Sequence, residues 1–221
     1  MKKIIAASWH PGSANSIFPV IKRLEKEKKI KVITLCHEFS EDIFKKNNIK
    51  YKTIKYYNLK NISANSMLEI LKEEKPDLVL TGTSFQDENN KDVIEQTLTI
   101  AARALKIKSL AVIDGWGSDK LVFHDLITHE KFKFLPNIIA VTDKILEKRM
   151  LKDGYNKRLL IVTGNPYFDH LLNIKKTFED KEKNKIRKEL KIKSNSKIIL
   201  YASQPIDHDY RKELGYTQKT V

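Results

Sequence analysis

NIIAVTDKILEKRMLKDGYNKRLLIVTGNP, residues 137–166, holds two short β-branched runs, NIIAVTD and LLIVTG, on either side of a charged segment. Strands buried on both faces of a sheet read this way. The segment between them, KILEKRMLKDG, has the length and polarity of a helix, and Gly154 is placed to end it. Two strands joined through a helix by short links pair parallel, since the crossover leaves no direct hairpin. The Gly-Asn-Pro at 164–166 then breaks the chain ahead of a new helix with Asp169 in its first turn. A turn of that kind marks a change of direction between two layers or two domains.

The same alternation runs back to the N-terminus. KKIIAAS (2–8) reads as a doubly buried strand, and SIFPVIKRLEKEKK as a helix with its stripe at Ile17, Val20, Ile21 and Leu24 and with Pro19 in its first turn. KVITLC is the second strand, and SEDIFKKN a short helix with Ser40 as N-cap. YKTIKYY alternates more than the others and reads as a strand nearer the edge. NSMLEILKEEKP is a helix closed from outside by Pro76; DLVLTGTS, DVIEQTLTIAARAL and KSLAVIDGW follow as strand, helix and strand. GSDKLVFHDLITHEKFKFLP is weakly patterned, an irregular excursion or a short hairpin. The fold class is α/β, a Rossmann-like parallel sheet with helices on both faces. Beyond it, the lysine-rich DKEKNKIRKELKIK, with a thin stripe at Ile186 and Leu190, precedes a fresh strand, KIILYAS. The expected organisation is a domain over 1–172, a Lys-rich linker or helix over 173–196, and the truncated start of a second α/β lobe over 197–221.

Composition narrows the function classes. An apolar fraction of 41% supports a real core. The formal charge of +14 invites a nucleic-acid reading, but only six of the 42 basic residues are arginine, whose planar fork phosphate and base readers favour. KRLEKEKKIK and DKEKNKIRKELKIK alternate lysine with glutamate, as solvated helical faces do. Nucleic acid is therefore set aside, and attraction to acidic substrates or to an anionic membrane surface stands as the second reading of the charge. The lone Cys36 lies inside KVITLC and reads as a buried small hydrophobe, which fits a reducing cytoplasm. MKKIIAASWHPG resembles a signal peptide, but its apolar part is too short and breaks at Trp9-His10-Pro11.

In an open parallel sheet, ligands bind beyond the carboxyl ends of the strands. That rule selects SWHPGSANS, TGTSFQDENN, DGWGSD and TGNPYFD, all of which combine glycine with Ser, Thr, Asn or Asp. Gly12 and Ser13 precede a helix, where backbone N–H groups cradle a phosphate or sugar oxygen; Asn15 follows them. No G-x-G-x-x-G and no Walker lysine is present. His10 is a candidate base, with a loop histidine bonded to backbone as the alternative. Asp114 is a base or a sugar-hydroxyl acceptor, or else a cap on its own turn. Trp116, between two glycines, either stacks on a sugar or nucleobase face or is buried under LVFHDL. Thr83 and Ser84 offer hydroxyls at a strand end. Asn165 belongs to a structural hinge that also borders the cleft. His124, His129 and His170 lack metal-ligand spacing, and no metal is expected.

NIIAVTDKILEKRMLKDGYNKRLLIVTGNPYFDHLL resembles the end of the N-terminal domain of the two-lobed GT-B superfamily, in the branch of UDP-N-acetylglucosamine 2-epimerases and related nucleotide-sugar glycosyltransferases. PDLVLTGTS, TLTIAARALKIKSLAVIDGW and KIILYASQP are similar to further parts of that pattern. The resemblance implies a nucleotide sugar as donor substrate, no cofactor, a sugar or lipid-linked acceptor, and a donor site held mainly by a second lobe that is missing here. It places Ser203 and Gln204 at the start of that lobe's site. Three loops depart from the epimerase pattern: HPGSANS replaces Thr-Arg-Pro-Glu, TGTS replaces His-Gly-Asp-Thr, and DGWG replaces Glu-Ala-Gly, so that only Asp114 stands in for an acid. These departures favour a glycosyltransferase of cell-envelope polysaccharide or glycolipid synthesis, with residues 1–221 as its acceptor-side half, inactive alone. The alternatives are an epimerase-like enzyme, a UDP-sugar hydrolase, or a non-catalytic binding lobe. The expected location is the cytoplasm, with a peripheral contact at the inner membrane face kept open.

Overall fold

The structure is a computed structural model that describes residues 1–86, 92–116, 121–193 and 195–201. β1 (Lys2–Ser8), β2 (Ile30–Cys36), β3 (Leu78–Thr81), β4 (Lys108–Val112), β5 (Ile138–Val141) and β6 (Leu160–Val162) form one sheet in the order β2-β1-β3-β4-β5-β6. Every neighbouring pair is parallel. The helices are α1 (Pro11–Leu24), α2 (Glu41–Lys46), α3 (Ala64–Glu74), α4 (Ile94–Ala104), α5 (Lys144–Lys152), α6 (Pro166–Thr177) and α7 (Asp180–Glu189).

The period-two alternation of β1 divides the core between two faces. Ile5 and Ala7 pack with Met67, Ile70 and Leu71 of α3 and Ile94 and Leu98 of α4. Ile4 and Ala6 pack on the other side with Ala14, Ile17, Phe18 and Ile21 of α1 and Phe44 of α2. Each large side chain so buried contributes roughly 1.5–3 kcal/mol by leaving water. The chain leaves β1 toward β2 and later crosses to β3 on the other side, so strand order reverses between β1 and β3. Loops diverge at such a point and open a crevice at the carboxyl edge. Cys36 is fully buried, and burial pushes its thiol up to about 12, which leaves it a small apolar filler.

Several local expectations are corrected. α1 begins at Pro11, not Ser16, so Gly12 and Ser13 lie in its first turn and Pro19 in its interior. Pro11 fits the first helical position because its missing N–H would be unpaired there anyway. YKTIKYY is not a strand. Lys52 makes a single rung, accepting from Cys36 N (3.0 Å) and donating to Thr34 O (2.8 Å). Its ammonium then reaches Glu74 (2.9 Å) and the Tyr56 ring (3.9 Å), and the chain turns into a short 3-10 helix, Ile54–Tyr57. Ser40 occupies the N-cap position of α2, yet its one O–H is directed to Ser8 O (2.8 Å), with His37 O also within reach (3.1 Å), and it makes no cap bond. Residues 121–137 form turns with no helix or strand.

The chain divides into two compact units, Met1–Lys175 and Lys176–Val221. In the second, α7 opens with a reciprocal Glu179–Glu182 capping box, and Arg187 ties its end to Lys193 O and Ser196 O. KIILYAS forms no strand over 197–201, where Ile199 is 97% exposed and pairs with no strand among the described residues. Its last two residues, and the rest of 202–221, lie outside the described residues.

A third cluster joins β4, β5 and α5 to Val122 and Phe123 of the irregular excursion. Beside it, the His124 ring meets Phe132 edge-on at 4.6 Å, and its Nε2 is buried with no hydrogen-bond partner. Burial, helped by the charge of Lys131 and opposed by Asp153, holds its pKa below the ordinary 6.5. The unfolded chain therefore takes up this proton at higher pH than the folded one. His124 removes stability as pH falls below about 6.5 and through its lowered folded value. Urea midpoints should fall between pH 7 and pH 5, and His124→Phe should flatten that slope; an equal slope in wild type and variant refutes the assignment.

Candidate functional site

The floor of the crevice is a buried carboxyl knot. Glu95, in the first turn of α4 and 3% exposed, accepts on one oxygen, Oε1, from Trp9 N (2.9 Å), Ser13 Oγ (2.7 Å) and Ser84 Oγ (2.8 Å). These donors come from the end of β1, the first turn of α1 and the loop after β3, so one side chain fixes three segments on both sides of the strand reversal. Burial pushes its pKa above the ordinary range, against the pull of the Ser13 hydroxyl and the Trp9 N–H. Gly82 permits this approach. A Cβ there would overlap Ser13 Oγ and lie 2.7 Å from Ser13 O and 2.9 Å from Ser13 Cα.

Asp114 stands above this floor, half-buried at the end of β4. Its Oδ1 accepts from Thr83 Oγ1 at 3.4 Å, and its Oδ2 lies against Gly12 so closely that a Cβ on Gly12 would overlap it. Burial raises the Asp114 pKa, while backbone N–H groups, the Thr83 hydroxyl and the charge of His10 pull it down. A carboxyl at a helix N-terminus, near a histidine and raised toward working pH, has the properties of a general base.

The predicted residues thus meet in one place, though with altered parts. His10, Gly12, Thr83 and Asp114 border the crevice. Ser13 and Ser84 face inward, because their hydroxyls are held by Glu95. Asn165 is a strut: its Nδ2 donates to Asp114 O (2.8 Å) and its Oδ1 accepts from Tyr167 N (2.9 Å). Asn15 is half-buried in α1. Trp116 is not buried under the excursion; it is 54% exposed, its Nε1 donates to Asp143 Oδ2 (2.9 Å), and its ring lies 6.0 Å from Phe168. Ser203 and Gln204 lie outside the described residues. Among the described residues no cluster of His, Cys, Asp and Glu could hold a metal ion, and no helix is long and apolar enough to cross a membrane.

Two features were missed. Glu95 shares a buried stripe with Leu98, Thr99 and Ala102 at i, i+3, i+4 and i+7, and a charge on an apolar face was the signal for it. The second is an aromatic rim. Phe39, Phe85, Trp116 and Phe168 follow β2, β3, β4 and β6, and each is exposed. Phe39 stacks on His10 at 5.8 Å with 7° between the rings.

A six-stranded parallel sheet with its crevice at this reversal has close counterparts among solved structures. The chain shares its α/β fold with part of larger proteins. A UDP-GlcNAc 2-epimerase from Neisseria meningitidis bound to UDP-GlcNAc is 18% identical, with a TM-score of 0.63 over 88% of this chain and 56% of that one. The MnaA–UDP co-structure from S. aureus is 20% identical, with a TM-score of 0.58 over 82% and 48%. The UDP-GlcNAc 2-epimerase of Methanocaldococcus jannaschii, in complex with UDP-GlcNAc and UDP, is 22% identical, with a TM-score of 0.53 over 75% and 47%. This chain spans about half the length of these structures. No family model matches it, and neither does any curated protein.

Two outcomes follow from the knot. Gly82→Ala forces the Ser13 backbone to move and should cost about 1–3 kcal/mol, as overpacking does, read as a lower urea midpoint; an unchanged midpoint would mean that the contact is looser than described. For Glu95, a raised folded pKa means that stability is fully present below the ordinary 4.5 and lost as pH rises through the folded value. Glu95→Gln does not titrate, so its stability relative to wild type should climb with pH above about 4.5. A pH-independent difference would show that Glu95 ionises normally.

Proposed function

We propose that this chain is the acceptor-side half of a nucleotide-sugar-dependent glycosyltransferase, with Asp114 as the base. The observation that carries the reading is the Asp114 carboxyl itself, half-buried, raised in pKa, set against the start of α1 and within the field of His10. In the proposed step the Asp114 carboxylate takes the proton of an acceptor hydroxyl as that oxygen bonds to the anomeric carbon of the donor. The nucleoside diphosphate leaves with the bonding electrons. Thr83 orients the carboxylate, and the first-turn N–H groups of α1 favour its negative form. The rim supplies apolar faces for a sugar ring, with His10 and Phe39 on one side of Asp114 and Trp116 and Phe168 on the other.

A second reading, an epimerase-like activity, is favoured by the similar structures, which include UDP-GlcNAc 2-epimerases bound to UDP-GlcNAc. Against it, Glu95 is held in the floor by three donors and Asp143 is tied to Trp116 Nε1 and Leu146 N, while Asp114 meets only the long Thr83 contact of 3.4 Å from a side chain. The two readings part in a coupled assay. In the two-lobed enzyme that this reading implies, UDP release should require an added acceptor sugar, and Asp114→Asn should lower it roughly 10²–10⁴-fold. Release without an acceptor, with inversion of the sugar, would install the second reading. For residues 1–221 the chain has only two tryptophans, Trp9 and Trp116, so two indole N–H resonances suffice. The exposed Trp116 signal should shift with N-acetylglucosamine while that of buried Trp9 stays. No shift at millimolar sugar would remove the acceptor role.

A further inference from the structure

Behind the Glu95 knot lies a small cavity of about 10 Å³, lined by Thr81, Thr83, Thr99, Phe134, Glu95 and Gln96 among others. The last two residues each carry an unanswered acceptor. Glu95 gathers its three donors on Oε1, and its Oε2 is buried with no partner. Gln96, 4% exposed, donates through Nε2 to Ser84 O (3.3 Å) and Val122 O (3.2 Å), which fixes the amide orientation and leaves Oε1 buried and unpaired.

We propose that this cavity is a site for one ordered water molecule that bridges Glu95 Oε2 and Gln96 Oε1. Two buried acceptors left without donors are costly, and the lining hydroxyls of Thr99, Thr83 and Ser84 are spent on other partners. Thr99 already donates to Glu95 O (2.7 Å), and Thr83 donates toward Asp114. A water molecule answers both acceptors with its two O–H groups when Glu95 is ionised. When Glu95 is protonated, the same molecule accepts from the acid and still donates to Gln96. It therefore fits either charge state, which no fixed side-chain donor does. The volume matches the smallest space that holds one water, and polar atoms line it. The bridge also links the Glu95 knot to Val122 of the irregular excursion through Gln96, so that the β3 loop and the excursion share one hydrogen-bonded unit.

The test is a high-resolution crystal structure of the wild-type chain. Density for a single water is expected within about 2.7–3.2 Å of both Glu95 Oε2 and Gln96 Oε1. An empty cavity, a protein side chain in its place, or a water touching only one of the two oxygens overturns the proposal. In solution, oxygen-17 relaxation dispersion counts long-lived internal waters, and Gln96→Leu should show one fewer than wild type. An equal count overturns it as well. If Gln96→Leu does not fold, the wild-type density alone decides. None of these readouts depends on catalysis, so the water site stands or falls separately from the glycosyltransferase reading.

Discussion

Everything at the carboxyl edge depends on a single oxygen. Glu95 Oε1 collects one main-chain and two hydroxyl donors from three segments that are far apart in sequence. A buried carboxyl costs several kcal/mol unless its lone pairs are answered. The donors answer one oxygen fully, and burial keeps the proton on the group longer than usual. With Ser13 drawn inward, Gly12 is turned toward Asp114, and the absence of a side chain at positions 12 and 82 lets helix, strand end and carboxylate come this close. The geometry of Asp114 is thus set partly from the floor beneath it.

Much of the architecture was legible because each strand is apolar on both faces. KKIIAAS, KVITLC and NIIAVTD carry no polar alternation, as expected for strands covered by helices on both faces. YKTIKYY misled because its alternation is real but serves another end: Lys52 leaves the ladder to reach Glu74, an interaction across 22 residues that no local pattern encodes. The site divides in the same way. Loop positions after the strands were readable from glycine and small polar residues. Which hydroxyls face a ligand and which face the floor depends on Glu95, which within DVIEQTLTIAARAL reads only as one acid in a helix.

The strongly basic surface and the crevice follow separate logics. The lysines populate solvated helix faces, whereas the crevice holds a carboxyl, hydroxyls and aromatic rings. Aromatic faces beside a carboxylate suit a neutral polyhydroxylated ring better than a polyanion. That chemistry is what the proposed acceptor role asks of the crevice.

The single rung made by Lys52 has one more consequence. An open sheet has two borders, and an uncapped border recruits strands from other molecules. At β2, Lys52 occupies Cys36 N and Thr34 O and then swings away under Tyr56, so the outer row of peptide groups is interrupted after one rung. At the opposite border β6 is only three residues long. The isoleucine-rich sheet thereby ends in one interrupted border and one very short one, each offering little row for an added strand, and at β2 the interruption is made by a lysine that plays no part in the crevice.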